Sequence, residues 1–213
     1  MAKRIFITAT NTDIGKTYVT TQLLQHYASL GYNVAAIKPI ETGVEERPHD
    51  GTALLALMQR LNPATADLTI SDIVPIQYAL PAAPYCANNA EPVDLSAVGR
   101  AIEKIEPLCD ILIIEGAGGL YVPIDKETMM IDLIPRYRAR ALLVSHCRLG
   151  CINDTLLSVK AMREKGLDFL WTLNCRSDDH SFHQVSEPYF KDNFPGFTLF
   201  DRDLAKIAEA LLL

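Results

Sequence analysis

Five short runs of almost uninterrupted apolar residues, Ile5–Thr8, Val34–Lys38, Ile111–Glu115, Ala141–Ser145 and Phe169–Asn174, are spread along the 213-residue chain. Each is too short for a helix and lacks polar alternation, so each reads as a strand buried on both faces. Between them Thr17–Leu30, Gly51–Leu61, Leu95–Pro107, Cys151–Gly166 and Arg202–Leu212 carry apolar residues at helical spacing, with Gly31 and Gly166 at helix stops. Strands alternating with helices predict crossover units, and so an α/β fold with a mainly parallel central sheet and helices on both faces. Phe197–Phe200 is a sixth candidate strand and Ile73–Tyr78 a shorter extra piece. No repeat, low-complexity tract or linker divides residues 1–213, so one domain is expected, with the Pro-rich stretch 80–92 as an ordered loop inside it.

The composition, 49% hydrophobic and 22% charged, suits a sizeable core and excludes disordered and collagen-like classes. A net charge of −6 gives no footprint for general nucleic-acid binding. Met1-Ala2-Lys3-Arg4 precedes only a brief apolar run, too short for a secretory signal and far below the ~20 residues that span a bilayer. A soluble, cytoplasmic protein with neither nucleic-acid nor membrane partners is therefore expected. The five cysteines, at 86, 109, 147, 151 and 175, are an odd number in a chain large enough to fold without staples. Free thiols in a reducing compartment are expected rather than a disulfide framework. Cys147 and Cys151 lie close together beside His146, but no second pair has zinc-like spacing, and His180 with His183 matches only loosely.

The polar residues of interest gather where these strands end. Ile5 to Thr17 reads as a strand, a turn-rich loop and then Gly15-Lys16-Thr17 opening a helix. In that context loop N–H groups can cradle phosphates, Lys16 can neutralise β/γ oxygens and the Thr17 hydroxyl can ligate Mg²⁺. The loop departs from the strict pattern: Ala9 stands where the first glycine is usual, and five residues rather than four separate it from Gly15. A second element, Cys109 to Pro123, places Glu115 at the carboxyl end of a central strand, the edge where open α/β sheets bind ligands. Gly116, Gly118 and Gly119 permit close backbone approach there, and a hard cation would find oxygen ligands. The alternative for Glu115 is a turn carboxylate. In a third cluster Lys38 ends a strand before Pro39-Ile40-Glu41-Thr42-Gly43, and His49-Asp50-Gly51 opens the next helix. A second cation beside Lys16 suits phosphoryl charge, and Asp50 suits a helix N-cap as well as it suits a metal ligand.

Thr10-Asn-Thr-Asp-Ile-Gly-Lys-Thr17, Lys38-Pro-Ile-Glu-Thr-Gly43, Glu115-Gly-Ala-Gly-Gly119 and Leu149-Gly-Cys-Ile-Asn153, in that order, resemble the motifs of the dethiobiotin synthases. The similarity runs to about Tyr189, and the family's loop has the longer spacing seen here. The resemblance implies a P-loop NTPase-like fold and an ATP- and Mg²⁺-dependent ligase, with ATP as co-substrate. Such an enzyme carboxylates 7,8-diaminononanoate with CO₂ and closes the ureido ring through a carbamate and a carbamic–phosphoric anhydride. It also implies roles. Thr12, Asp13, Ile14, Gly15, Lys16, Thr17 and Tyr18, with Glu115 and Asn174, would surround the nucleotide. Lys16, Lys38, Thr12 and Asp13 would form the catalytic group, with Asp13 near the amines, and Thr17, Asp50 and Glu115 would hold Mg²⁺. Lys38, Thr42, Gly118, Leu149, Gly150, Cys151, Asn153 and Tyr189 would contact substrate, Asn153 and Tyr189 from the second subunit of a homodimer. The chain departs from the family at its end. Phe194 to Phe200 runs almost directly into Arg202–Leu213, leaving too few residues for the Pro-rich loop that closes over the base, so other NTPs are expected to be accepted. The competing readings are a related P-loop amide ligase, which usually carries a glutaminase domain that has no room here, and a nucleotide-switch ATPase. The switch ATPases commonly place an extra lysine early in the loop, where this chain reads Ala9 to Asp13.

Overall fold

The structure, a computed structural model, describes residues 2–176 and 181–213. Among them lie seven strands: β1 (Lys3–Ala9), β2 (Val34–Ile37), β3 (Ile40–Thr42), β4 (Ile76–Tyr78), β5 (Ile111–Gly119), β6 (Arg140–His146) and β7 (Phe169–Asn174). Five of them form one sheet in the order β2-β5-β1-β6-β7, every neighbouring pair parallel. β3 and β4 pair as a separate parallel ribbon.

The apolar runs bury on both faces, as their lack of alternation demands. Ile5, Ile7, Val34, Ala36, Ile111, Ile113, Leu142 and Val144 pack with α1 (Lys16–Ser29) and the Phe200–Leu212 helix. Phe6, Ala35, Ile37, Leu112, Ile114, Ala141 and Leu143 face the Ser96–Ile105 and Cys151–Glu164 helices. At about 1.5–3 kcal/mol for each large side chain fully buried, these two layers dominate the stability of the sheet. Because the strands are parallel, their carboxyl ends, and the loops that follow them, emerge along one edge.

Several expected boundaries move. Phe197–Phe200 is not a strand: Leu199 makes a single bridge to Leu173, and Phe200 opens the last helix, buried against α1. Of Ile73–Tyr78 only Ile76–Tyr78 is extended, while Ile73 ends a short helix. α2 (His49–Leu61) starts with Pro48 at its N-cap, so Asp50 sits in the first turn and is not the cap. The stretch 80–92 contains the short helix Pro84–Ala87, and Phe182–Val185 and Glu187–Asn193 form helices that the sequence pattern did not signal.

The thiol expectation needs a larger correction. Cys147 and Cys175 form a disulfide, leaving Cys86, Cys109 and Cys151 free. Each bridged cysteine follows the last residue of its strand, and the β6–β7 register pairs His146 with Asn174. The sheet itself therefore sets Cys147 and Cys175 side by side, with Cα atoms 5.0 Å apart, which an argument from cysteine count and spacing cannot see. His180, half of the loose histidine match, lies outside the described residues. No helix among the described residues is long and apolar enough to cross a membrane.

Candidate active site

The loop between β1 and α1 is shaped by two left-handed residues. Asp13 has φ 57° and Gly15 φ 94°. Asp is among the few side chains that tolerate this region, and glycine enters it without penalty. Gly15 is doubly required, because a Cβ there would lie 2.3 Å from Nδ2 of Asn174. That Nδ2 donates to the Ile14 carbonyl at 2.8 Å, tying the loop to the end of β7. α1 has no side-chain cap, so its opening N–H groups face the space in front of the loop. Lys16, 7% exposed, reaches back over the loop and donates to the carbonyls of Asn11 (3.1 Å) and Gly118 (2.9 Å). Burial, then the nearby Lys38 ammonium, lowers its pKa to about 8. Among the described residues its hydrogen-bond partners are both neutral carbonyls.

Lys38 is held differently. Its ammonium donates to Asp50 Oδ2 at 2.6 Å and to Glu115 Oε1 at 2.8 Å. Burial alone would lower its pKa, but Glu115 and Asp50 outweigh burial and raise it. Asp50 is the converse: burial opposes its charge, and the Lys38 ammonium prevails, holding the carboxyl below its usual range. The Thr17 hydroxyl donates to Glu115 Oε1 at 2.8 Å. Glu41, which sequence reasoning quoted inside a motif without giving it a role, accepts from the backbone N–H groups of Asp50 and Gly51 at 2.9 Å each. Its only signal was proximity to Lys38, since its partners lie nine and ten residues away.

These groups border a cleft of about 700 Å³ that gathers Thr12, Asp13, Gly15, Lys16, Thr17, Lys38, Thr42, Asp50 and Gly118. Its opposite wall is apolar, built from Pro81, Ala82, Ala83, Pro84 and Val122. Among the described residues no group of three or more His, Cys, Asp or Glu side chains could hold a metal. The arrangement nonetheless fits Mg²⁺, which binds through one or two carboxylates and keeps waters and phosphate oxygens for the rest. Oε2 of the fully buried Glu115 has no hydrogen-bond partner, and the Lys38 ammonium already shows a positive charge seated between the two carboxylates.

Residues 3–187 match the family model described as an AAA domain. The ATP-dependent dethiobiotin synthetase BioD of Sulfurovum sp. strain NBC37-1 is 41% identical over 97% of this chain and 99% of its own. That of Wolinella succinogenes is 37% identical, covering 99% and 98%, and that of Methanocaldococcus jannaschii 39%, covering 82% and 80%. The chain belongs to the dethiobiotin synthetase family. It is an ATP-dependent enzyme of the ligase class. Among solved structures, a plasmid partition protein from Borrelia burgdorferi superposes with a TM-score of 0.58 at 10% identity, covering 99% of this chain and 98% of that one. A ParA family ATPase from Chlorobium tepidum TLS gives 0.50 at 14%, covering 99% and 90%. At such identity these likenesses show the fold alone: a P-loop NTPase-like α/β architecture with a mostly parallel central sheet.

The remaining residues singled out from the dethiobiotin synthetase resemblance stand apart from the cleft. Leu149 and Asn153 are exposed at the start of the Cys151–Glu164 helix, whose N-cap is the left-handed Gly150. Cys151 is fully buried. Tyr189 packs edge-on against Phe190, near Phe194, in an aromatic cluster. At the end of β7 the buried Oδ1 of Asn174 has no hydrogen-bond partner among the described residues. Beside it the Arg176 guanidinium lies 4.0 Å over the ring of Tyr18, whose hydroxyl donates to Asp201 at 2.7 Å. Arg176 and Asp201 were not singled out from sequence; nothing in their local pattern marks them, because only the fold brings them to Tyr18.

Proposed function

We propose that this protein makes dethiobiotin from 7,8-diaminononanoate, CO₂ and ATP, as the names of its relatives indicate. The observation that carries the reading is that Lys16, Thr17, Lys38 and Asp50 line one cleft, with the buried Glu115 bonded to Thr17 and Lys38 behind it. An amine of the substrate adds to CO₂ and loses a proton, giving a carbamate. A carbamate oxygen takes the γ-phosphoryl group, and the second amine attacks the carbonyl carbon, expelling phosphate and closing the ring. This chemistry needs alignment and preorganised charge more than covalent help. Lys16 exchanges its two carbonyl partners for phosphate oxygens, a favourable exchange for a poorly solvated ammonium. Lys38 supplies the second positive charge on the transferring group. Thr17, Asp50 and Glu115 would hold Mg²⁺, which supplies neutralisation of β- and γ-phosphate charge when bound. Thr12 and Asp13 border the amine end, and Thr42 and Gly118 face the substrate. The wall from Pro81 to Pro84 with Val122 suits its alkyl chain. The assay is ADP release: it should require the diamine and bicarbonate together. Equal release without the diamine, or stimulation by DNA instead, would overturn the reading.

The carboxylate end of the substrate belongs, in this proposal, to a homodimer. Leu149, Gly150, Cys151, Asn153 and Tyr189 would receive it from the second subunit, using the free N–H groups of the Cys151–Glu164 helix. Exposed Tyr121 and Leu157 border a groove that also includes Val122 of the cleft wall, so an apolar surface adjoins the site. Mixing Lys16→Ala with an Asn153→Ala/Tyr189→Ala variant should restore activity through hybrid dimers. Full activity of a monomer at high dilution would sink the idea.

A further inference from the structure

α2 starts without a capping side chain of its own, since Pro48 makes no side-chain hydrogen bond. The first N–H groups of a helix carry partial positive charge and need acceptors. Here they find them on another element. Glu41, in the middle of β3, is 6% exposed, and its two carboxylate oxygens accept separately from the N–H groups of Asp50 and Gly51, each at 2.9 Å. Two bonds from one rigid carboxylate fix both the place and the direction of the helix start. The fit leaves no slack: a Cβ at Gly51 would lie 2.1 Å from Val74 Cγ2 and 3.3 Å from Glu41 Oε2. The anchored backbone is that of Asp50, whose side chain points to Lys38 and, through it, to Glu115. A Ser or Asp at position 48 would cap the helix equally well, yet it would leave α2 free to shift relative to β3. Glu41 removes that freedom, and the next residue of its strand, Thr42, borders the same cleft.

We propose that Glu41 is a positioning residue: its buried carboxylate holds the first turn of α2 where Asp50 can share a cation with Thr17 and Glu115. This rests on the reading of Asp50 as a metal ligand. Outer partners of metal ligands, when removed, typically weaken metal affinity by about 10–100-fold.

Calorimetric titration of ADP into the full protein, with and without Mg²⁺, measures the gain in nucleotide affinity due to the metal, independently of turnover. Glu41→Ala should reduce that gain by roughly tenfold or more, leaving metal-free ADP affinity within about twofold because the phosphate loop is untouched. Glu41→Gln, which keeps one acceptor oxygen in the same shape, should recover part of it, and Asp50→Asn should lose most of it. Thermal unfolding of each variant shows that it is folded; if Glu41→Ala does not fold, Glu41→Gln decides by the same ratio. A wild-type Mg²⁺ gain in Glu41→Ala beside a lost gain in Asp50→Asn overturns the proposal and leaves the metal reading standing. So does an equal loss of ADP affinity with and without Mg²⁺, which marks a merely structural cap. An unchanged gain in Asp50→Asn overturns the metal reading, and the positioning role with it.

Discussion

Around the loops after β1 and β2 and in the middle of β5 the charged groups are buried and mostly tied to one another, whereas beyond β6 and β7 the polar groups are more exposed or only partly bonded. Lys16, Lys38, Glu41 and Glu115 are all under 9% exposed; Lys38, Glu41 and Glu115 are linked through Thr17 and Asp50, while Lys16 donates to the carbonyls of Asn11 and Gly118. Across the sheet Asn174 Oδ1 and His146 Nδ1 lack partners among the described residues, though His146 Nε2 pairs with Asp154 at 3.0 Å, and Arg176 and Asp201 meet at a partly exposed Tyr18. The contrast suits the proposed reaction. Phosphoryl transfer draws its rate from charges fixed before the reaction, so that half must be rigid and dry. Contacts to the base bind ground state and transition state alike and change the affinity for nucleotide rather than the chemistry.

If that division is real, substitutions should split along it. Lys16→Ala and Glu115→Gln should each lower kcat by ~10²-fold or more, with melting temperatures close to wild type. Turnover near wild type for Glu115→Gln at saturating Mg²⁺ would refute its metal role and leave Glu115 a structural carboxylate within β5. On the other half the effects shrink. GTP and CTP should be used within about tenfold of ATP in kcat/KM, a gap of ~1.4 kcal/mol; a thousandfold preference for ATP would mean that residues beyond the phosphate loop close over the base after all. Asn174→Ala should raise KM for ATP by about fivefold and KM for GTP by less, with kcat unchanged. Equal rises for both nucleotides would leave Asn174 no part in reading the base. Tyr18→Phe, which removes one exposed hydrogen bond to Asp201, should change KM for ATP by less than about threefold, a bond of this kind netting ~1 kcal/mol at most. A larger loss would show that the aromatic platform, and not the phosphates, carries nucleotide affinity.

The same division explains what the sequence disclosed. β1, β5, β6 and β7 are legible because burial on both faces forces continuous apolarity. Lys16, Thr17 and Lys38 are legible because each stands at a strand end or helix start, and Glu115 because the apolar run breaks there, although β5 continues past it to Gly119 and Glu115 lies mid-strand rather than at the expected strand end. β3 is not legible: Lys38-Pro39 interrupts the apolar pattern before it, and only Ile40–Thr42 follow, in a ribbon outside the main sheet. Phe197–Phe200 misleads because its apolar residues fill an aromatic cluster and a helix start, with the Leu199 N–H donating to the side chain of Asp203. Glu41, Arg176 and Asp201, and the Cys147–Cys175 bridge, share one obstacle: their partners are set by register and by packing between elements distant in sequence, and no local spacing encodes that.

The amide of Asn174 has a consequence for anyone wishing to retune this enzyme's choice of nucleotide. The side chain proposed to read the base also props the Ile14 carbonyl, and a Cβ at the left-handed Gly15 would lie 2.3 Å from its Nδ2. A library built at position 174 alone would therefore alter the support of the phosphate loop together with any contact to the base, so KM changes common to ATP and GTP have to be separated from those that differ. Redesign has to treat residues 14, 15 and 174 as a single variable, moved together or left alone.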